Sequence, residues 1–595
     1  MSVSKIITID YETTAIQNRP DYPPTPVGVA ILKDGEAKYW AWGHAEGNNC
    51  TFEEGKAALA EALASPGYEF LAHNLMFEAA ITEEKMGLTI NWPKWHDSMV
   101  LAFLNNAHGE LSLKPLAHKL LNLPPEEQDA VHDWLLANNF VRKTQKDWGA
   151  YISKAPATIV GPYAIGDVIR TEKIFAALHT ESVQKPYRRE MALMPHIYKM
   201  EKRGVRVDIA KLHTDIQHYM QVLNWLDASI KSIVGEVDID SGEALADAIE
   251  AKGLAGKGFA LTEKGNRSVA KDSIIEAISD PTLLGHILCR RAIATTVRTF
   301  LMPWYEQAKV TGRMFVRWNQ VRNYSDTGAR TGRISSSPNL QAIPVEWEGL
   351  KAQLAKLEYE TAFALPSVRS YIIPDDGNIF VARDYSAQEL RLLAHFAGGG
   401  LLAVLQKEPE ADVHMIAANI AQITRKVAKT LGFAVLYGAG VAKIAESLGV
   451  SVAEATAIKA QYLKALPEIK EMQRELTRRG DSGSYLTTLG GRRYYAEAPK
   501  VINGKLQTYS FKLTNYLIQG SAADQSKQAL IDYAANTKHG QIVLSVHDEI
   551  VIECPIEHQD EEAALLAQAM NGSFQDILDY EIISTEARGP NFAAV

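Results

Sequence analysis

The chain has 595 residues and a net charge of −9, too long for one hydrophobic core, so roughly three to five lobes are expected. Three scattered cysteines, Cys50, Cys289 and Cys554, exclude a disulfide framework and a cysteine zinc site, and fit a reducing, cytoplasmic compartment. No stretch approaches the roughly 20 apolar residues of a membrane span, the N-terminus lacks the apolar run of a signal peptide, and the acidic balance leaves nucleic-acid binding to local basic surface.

Residues 1 to about 185 read as α/β. Lys5–Ile9 is a buried strand, and 27–32 and 38–42 continue a sheet. Asp10-Tyr11-Glu12-Thr13 follows the first strand, and alternation places both carboxylates on one side, a natural metal pair. A helix is expected over Phe52–Leu63, and a shorter one opening at Pro115 and running to about Leu121. Another strand ends at Leu71-Ala-His73-Asn74, with Glu78 just beyond it. Asp97 is a candidate supporting acid. Tyr163 and Asp167 stand one helical turn apart on one face.

A mostly helical stretch covers about 186–310, interrupted by a basic, Gly-containing segment at Phe259–Arg267. Strands return at 314–318, 378–382 and 541–553. A long helical region, about 386–480, lies between the last two. One sheet is therefore expected from distant segments, with a helical insertion inside it. There are no internal repeats and no low-complexity linker.

Two acidic stretches in this half carry the chemistry. Asp384 ends the strand at 378–382 and precedes a helix over 386–396. Asp548 sits in His547-Asp548-Glu549, near the tip of a hairpin formed by 541–545 and 550–553. Neighbouring acids repel unless a cation holds them, so a fold that joins Asp384 and Asp548 offers a two-metal site. Between them, Arg425, Lys429 and Phe433 recur every four residues on one helix face, with Tyr437 a turn further and Gly438 placed to end the helix. Two cations and an aromatic ring on one face suit a triphosphate with a base stacked beyond it. Taken alone, each feature also fits a solvated turn or an amphipathic helix.

Together the three segments resemble motifs A, B and C of family A DNA polymerases: Asp384-Tyr385-Ser-Ala-Gln-Glu389-Leu-Arg391, then Arg425 to Gly438, then Val546-His547-Asp548-Glu549. Thr331-Gly-Arg333, Asn339-Leu-Gln341, Asn515 to Asp524, Thr488 to Arg493 and Phe259 to Ser268 extend the likeness over about 190–595. The resemblance implies a right-hand polymerase domain at 186–595, with a thumb at about 205–310, a palm at about 311–400 and 520–595, and fingers at about 401–519. It implies Mg²⁺ ions held by Asp384, Asp548 and the Tyr385 carbonyl, one activating the primer 3′-OH and one holding the triphosphate. Arg425 and Lys429 would clamp phosphates, with Lys429 also a proton donor. Phe433 would stack near the incoming nucleotide, Tyr437 and Glu389 would exclude a ribose 2′-OH, and His547 and Glu549 would support. Arg333, Asn339, Gln341, Asn515, Gln519, Lys264, Arg267 and Arg492 would contact DNA. The family usually carries Arg four residues before Asn515, where this chain has Phe511 beside Lys512.

In the same way Asp10, Glu12, Glu78, Tyr163 and Asp167 resemble the Tyr-containing DEDD 3′–5′ exonucleases. That resemblance implies an RNase H-like domain at 1–185 holding two Mg²⁺ or Mn²⁺ on Asp10, Glu12 and Asp167, with Tyr163 orienting water. Glu78 stands where Asp is usual. The combined expectation is an α/β and α+β multidomain proofreading DNA polymerase, phage-type and without a 5′-nuclease domain. It would work as a monomer with primer–template DNA, dNTPs and replisome proteins such as a helicase-primase and a single-strand-binding protein, away from membranes. The alternatives are a 3′–5′ exonuclease whose C-terminal part only binds primer–template, and a non-catalytic scaffold. Because the family associates Phe at position 433 with dideoxynucleotide rejection, Phe433→Tyr is expected to raise dideoxy-terminator incorporation, read as the ddNTP/dNTP selectivity ratio; an unchanged ratio contradicts this role.

Overall fold

The computed structural model describes residues 5–595 except 125, 257, 263–264, 269, 345–347, 360–364 and 503. Five N-terminal strands form one mixed sheet: Lys5–Thr13, Pro26–Lys33, Glu36–Ala41, Tyr68–Ala72 and Trp95–Asp97. In chain order their spatial order is three-two-one-four-five, the first three antiparallel and the last two parallel to the first strand. The first strand runs further than expected, so Asp10 and Glu12 lie within it, opposite Ala30 and Gly28, before a register shift at Thr13. Gly28 has no substitute there, because an added Cβ would meet the Tyr39 hydroxyl at 2.2 Å. The helix at Phe52–Leu63 has the expected bounds and a Thr51–Glu54 capping box. The next expected helix begins at Leu113 rather than Pro115. Proline is tolerated inside the first turn because its missing N–H has no intrahelical partner there.

The second sheet is assembled from three distant parts of the chain. Asn378–Tyr385 pairs with Glu549–Pro555 on one side and Ser584–Gly589 on the other, and Gln541–Val546 completes the outer edge. Helices over Gln388–Ala397, Gly399–Leu405, Val413–Ala421, Arg425–Leu436, Val441–Leu448, Val452–Ala465 and Pro467–Asp481 form the expected insertion. The strand expected at 314–318 is two short ones, Arg313–Met314 and Arg317–Asn319.

Both halves share one apolar core that runs from Ile7, Phe70 and Trp95 to Phe380, Ile550 and Ile552. The helix Gln184–Arg203 lies across the junction. At its start the Tyr187 hydroxyl accepts the Asp97 N–H at 2.9 Å. One turn on, buried Glu190 accepts from Lys527 Nζ at 2.9 Å and from Arg492. Arg492 Nε also donates to buried Asp524 at 2.6 Å. Arg492 is 2% exposed, so it is not the DNA contact expected for it: two buried carboxylates take its Nε and Nη2. Gly332 closes over that group, since a Cβ there would meet Arg492 Nη1 at 2.3 Å. Removing one partner of a buried ion pair costs about 3–5 kcal/mol by leaving the other charges uncompensated. Arg492→Met is therefore expected to lower the melting temperature by several degrees, whereas a DNA-contact role would leave the free protein's melting unchanged.

Candidate active sites

The polymerase-like site is built on strand register. Asp384 faces Glu549 across the antiparallel pair, and the Tyr385 N–H donates to the Asp548 carbonyl at 3.2 Å. Val546 pairs with Glu549, so the hairpin tip is only His547 and Asp548, with His547 at φ 59°. The two acids thus meet through backbone geometry. Desolvation, then Asp548, then Glu549 push the Asp384 carboxyl up to about 7. Desolvation raises Asp548 and Glu549 as well, and Arg369, which sequence reasoning missed, opposes the rise at Glu549. Adjacent acids resisting ionisation are a donor set that suits a divalent cation. The Tyr385 side chain points away, its hydroxyl donating to the Met570 carbonyl at 2.8 Å.

Below this pair lies a closed polar contact. Tyr437 donates to Glu389 Oε2 at 2.8 Å, and Arg333 holds the other Glu389 oxygen. Glu389 is buried on the helix Gln388–Ala397, whose entry at Ala387 has φ 52°. Burial, then Glu389, pushes the Tyr437 phenol up to about 12, and Gln519 reaches the same hydroxyl. Arg333 and Gln519, expected on DNA, therefore also fix this corner. Arg391 anchors the turn from beneath: its guanidinium donates to the carbonyls of Ser386 (2.7 Å), Ala411 (2.9 Å) and Pro409.

The helix Arg425–Leu436 presents the expected face. Thr424 caps it by accepting the Val427 N–H, Tyr437 closes it, and Gly438 follows at φ +66°. The Phe433 and Tyr437 rings stack at 6.1 Å and 7°. Lys429 is exposed, with no ion-pair partner among the described residues. Arg425 instead meets Asp412 at 2.6 Å, and both side chains are about half exposed, a pair weak enough for an incoming phosphate to displace.

The remaining DNA-contact expectations divide. Gln341 Nε2 donates to the carbonyls of Ile334 and Ser545, both at 2.9 Å, tying its segment to the Asp548 hairpin. Asn339 accepts the Gln341 N–H at 3.1 Å. Asn515 Oδ1 is buried with no hydrogen-bond partner. Phe511 is exposed against Gly438, and Lys512 is engaged by Glu497 at 2.9 Å, so it does not replace the family's Arg. Arg267 is paired in the free protein with Glu243, Asp247 and Glu250 of one helix, three exposed or half-exposed acids that a phosphate could displace as at Arg425. Lys264 lies outside the described residues.

The N-terminal site gathers what the sequence pattern suggested. Carboxylate oxygens of Asp10, Glu12 and Asp167 lie within 4.8 Å of one another. Burial, then Asp167, pushes Asp10 up to about 8, and burial raises Glu12, Glu78 and Asp167. Glu78, 2% exposed, keeps Oε2 without a partner and stands close enough to Asp10 for their charges to interact. Tyr163 and Asp167 share one face of the helix Ala157–Leu178. Burial and the three acids hold the Tyr163 phenol far above its usual range, so it keeps its proton and can donate a hydrogen bond.

Two further residues shape this site. Asp97 supports the site from behind: it accepts from the N–H groups of Asn74 (3.1 Å), Leu75 (2.8 Å) and Met99 (2.8 Å), fixing the helix that carries Glu78. Lys114, missed in the sequence, bonds Asp167 with its ammonium 3.8 Å from the Tyr163 ring centroid. Lys114 is 8% exposed on the helix beginning at Leu113, and nothing in its sequence neighbourhood signals Asp167.

The family model described as DNA polymerase family A matches residues 209–593. The chain belongs to that family. DNA polymerase I of Chloroflexus aurantiacus is 26% identical over 593 residues, 95% of this chain and 59% of that protein. Thermostable DNA polymerase I of Thermus aquaticus is 28% identical over 411 residues, 66% of this chain and 46% of that protein. DNA polymerase I of Deinococcus radiodurans is 30% identical over 411 residues, 66% and 40%. The chain thus spans between 40% and 59% of the length of these three relatives. Among solved structures, the POL domain of Pol1 from M. smegmatis, in complex with DNA primer-template and dNTP, is similar with a TM-score of 0.74 and 21% identity. The likeness of fold covers 99% of this chain and 95% of that one, so it extends over the N-terminal sheet, which lies outside the residues the family model matches.

The acids also set a pH response. Asp10 titrates at about 8 when folded, against an ordinary 3.8, so it is protonated in the native chain and ionised in the unfolded one between those values. Unfolding then releases a proton, and stability falls as pH rises through that window. Metal-free protein is expected to melt lower at about pH 8 than at about pH 5. Asp10→Asn should flatten this slope and raise the melting temperature at neutral pH; an unaltered slope contradicts the charge assignment.

Proposed function

We propose that the chain is a DNA-directed DNA polymerase that also removes mispaired 3′ ends, acting on primer–template DNA and dNTPs. The observation that supports synthesis best is the meeting of Asp384 and Asp548, joined to the helix of Lys429 and Phe433 through the Tyr437–Glu389 bond. Family A polymerases use divalent metal ions, and the donor set fits such ions: Asp384 and Asp548 would hold them, with the Tyr385 carbonyl alongside. Divalent ions bound there supply Lewis-acid activation of the primer hydroxyl and neutralise the departing pyrophosphate.

The chain's own residues do the positioning. Arg425 leaves Asp412 for the triphosphate, and Lys429 meets the phosphates and donates a proton to the leaving pyrophosphate. Phe433 stacks near the incoming nucleotide. The Tyr437–Glu389–Arg333 contact is rigid and occupies the space a 2′-hydroxyl needs, which selects deoxynucleotides.

The N-terminal acids support the second activity. Asp10, Glu12 and Asp167 would hold divalent ions, the unpartnered Glu78 oxygen adds a donor that reaches one methylene further than Asp, and Tyr163 orients the attacking water by a hydrogen bond from its hydroxyl. A place in phage genome replication belongs to this proposal on the sequence resemblance alone.

Primer extension separates the readings. Wild type is expected to extend a primer only with dNTPs present and to shorten it without them. Asp548→Ala should abolish extension and keep shortening, and Asp10→Ala should do the reverse. Shortening without any extension by wild type would favour an exonuclease with a merely DNA-binding polymerase part, and neither activity a scaffold.

A further inference from the structure

A cluster remote from both acid sites has no role in the chemistry above. His539, His558 and Glu561 offer ligand atoms that all lie within 4.8 Å of one another. His539 lies just before the strand Gln541–Val546, and His558 just after the strand Glu549–Pro555, at the open end of the hairpin whose tip carries Asp548. Glu561 is in the first turn of the following helix, Gln559–Gly572. The tip lies six or so strand residues away, roughly 20 Å.

The cluster is held from behind. Buried Glu562 accepts hydrogen bonds from the Tyr533 hydroxyl (2.6 Å), the Thr537 hydroxyl (2.7 Å), the Lys538 N–H (3.2 Å) and the His539 N–H (2.9 Å). Gly540 permits the tight passage, since a Cβ there would meet the Tyr533 hydroxyl at 1.8 Å. The loop bearing His539 is thereby pinned to the helix bearing Glu561. His558 precedes that helix, and its side chain makes no cap hydrogen bond, so the ring is not committed to capping. The two imidazoles stack face to face, with centroids 3.6 Å apart and planes at 7°, and His558 Nδ1 is 3.9 Å from Glu561 Oε2.

We propose that His539, His558 and Glu561 form a transition-metal site, suited to Zn²⁺, that clips the open end of the Asp548 hairpin to the helix behind it. Two imidazole nitrogens and one carboxylate oxygen, with a fourth position open to water, are a set that Zn²⁺ accepts at about 2.0–2.2 Å per bond. Tetrahedral bonds of that length put ligand atoms about 3.3–3.6 Å apart, so binding needs the cluster to close by no more than about 1.5 Å. The parallel rings must turn about their Cβ–Cγ bonds to converge, which the exposed His539 and half-buried His558 can do. Lys538 competes, because its ammonium holds Glu561 Oε1 at 2.9 Å from an exposed position.

The site is tested by Zn²⁺ titration calorimetry and by the visible spectrum of the Co²⁺-loaded protein, comparing wild type with His539→Ala, His558→Ala and Lys538→Ala. Carboxylate sites elsewhere contribute equally to all four proteins, so the difference decides. Wild type is expected to bind one more Zn²⁺ than either histidine variant, or to bind it on the order of tenfold more tightly. It should also show Co²⁺ bands that both histidine variants lose. Lys538→Ala should bind several-fold more tightly than wild type, and it serves if a histidine variant folds poorly. Equal stoichiometry, affinity and spectra across the four proteins would overturn the site.

Discussion

Two carboxylates brought together in a partly desolvated cleft repel, so their closeness must be imposed by something stronger than their own interaction. Here it is the register of Asn378–Tyr385 between Glu549–Pro555 and Ser584–Gly589. A one-residue slip in that pairing would turn Asp384 to the opposite face of the sheet. The Tyr385 N–H on the Asp548 carbonyl locks the hairpin tip to the strand end, and Gln341 bonds the same hairpin through the Ser545 carbonyl. Everything that faces the nucleotide in our account is placed relative to that join: Glu389 by the helix that follows Asp384, and Tyr437 by its bond to Glu389.

The N-terminal site follows the same logic with stronger desolvation. Asp10, Glu12 and Asp167 are brought together by a strand and a helix, and Glu78 is added by a helix that Asp97 caps. Lys114 and, at 3.6 Å from Asp167, Arg170 offset part of the charge. The remainder is what a bound cation would relieve. Both centres are thus strained electrostatically by a fold whose stability comes from elsewhere, chiefly the shared core and the buried cluster of Glu190, Asp524, Arg492 and Lys527.

Local pattern made much of this readable from the chain. Strand alternation at Asp10 and Glu12, helical spacing at Tyr163 and Asp167, the four-residue recurrence from Arg425 to Phe433, and the helix end at Gly438 are all properties of neighbours in sequence, and the structure keeps them. Misreadings arose where a distant partner decides. Arg492 reads as a DNA contact because nothing near it in sequence reveals Glu190. Lys114 was overlooked because its partner, Asp167, becomes adjacent only on folding.

The central claim is that Asp384 and Asp548 jointly hold the ions of nucleotide transfer. Its most direct test is anomalous diffraction from crystals of the protein grown with primer–template, a matching non-hydrolysable dNTP and Mn²⁺. Our account expects anomalous density between the Asp384 and Asp548 carboxylates, beside the triphosphate and facing Lys429. A well-ordered nucleotide with Mn²⁺ density elsewhere, and none between those two acids, would contradict it.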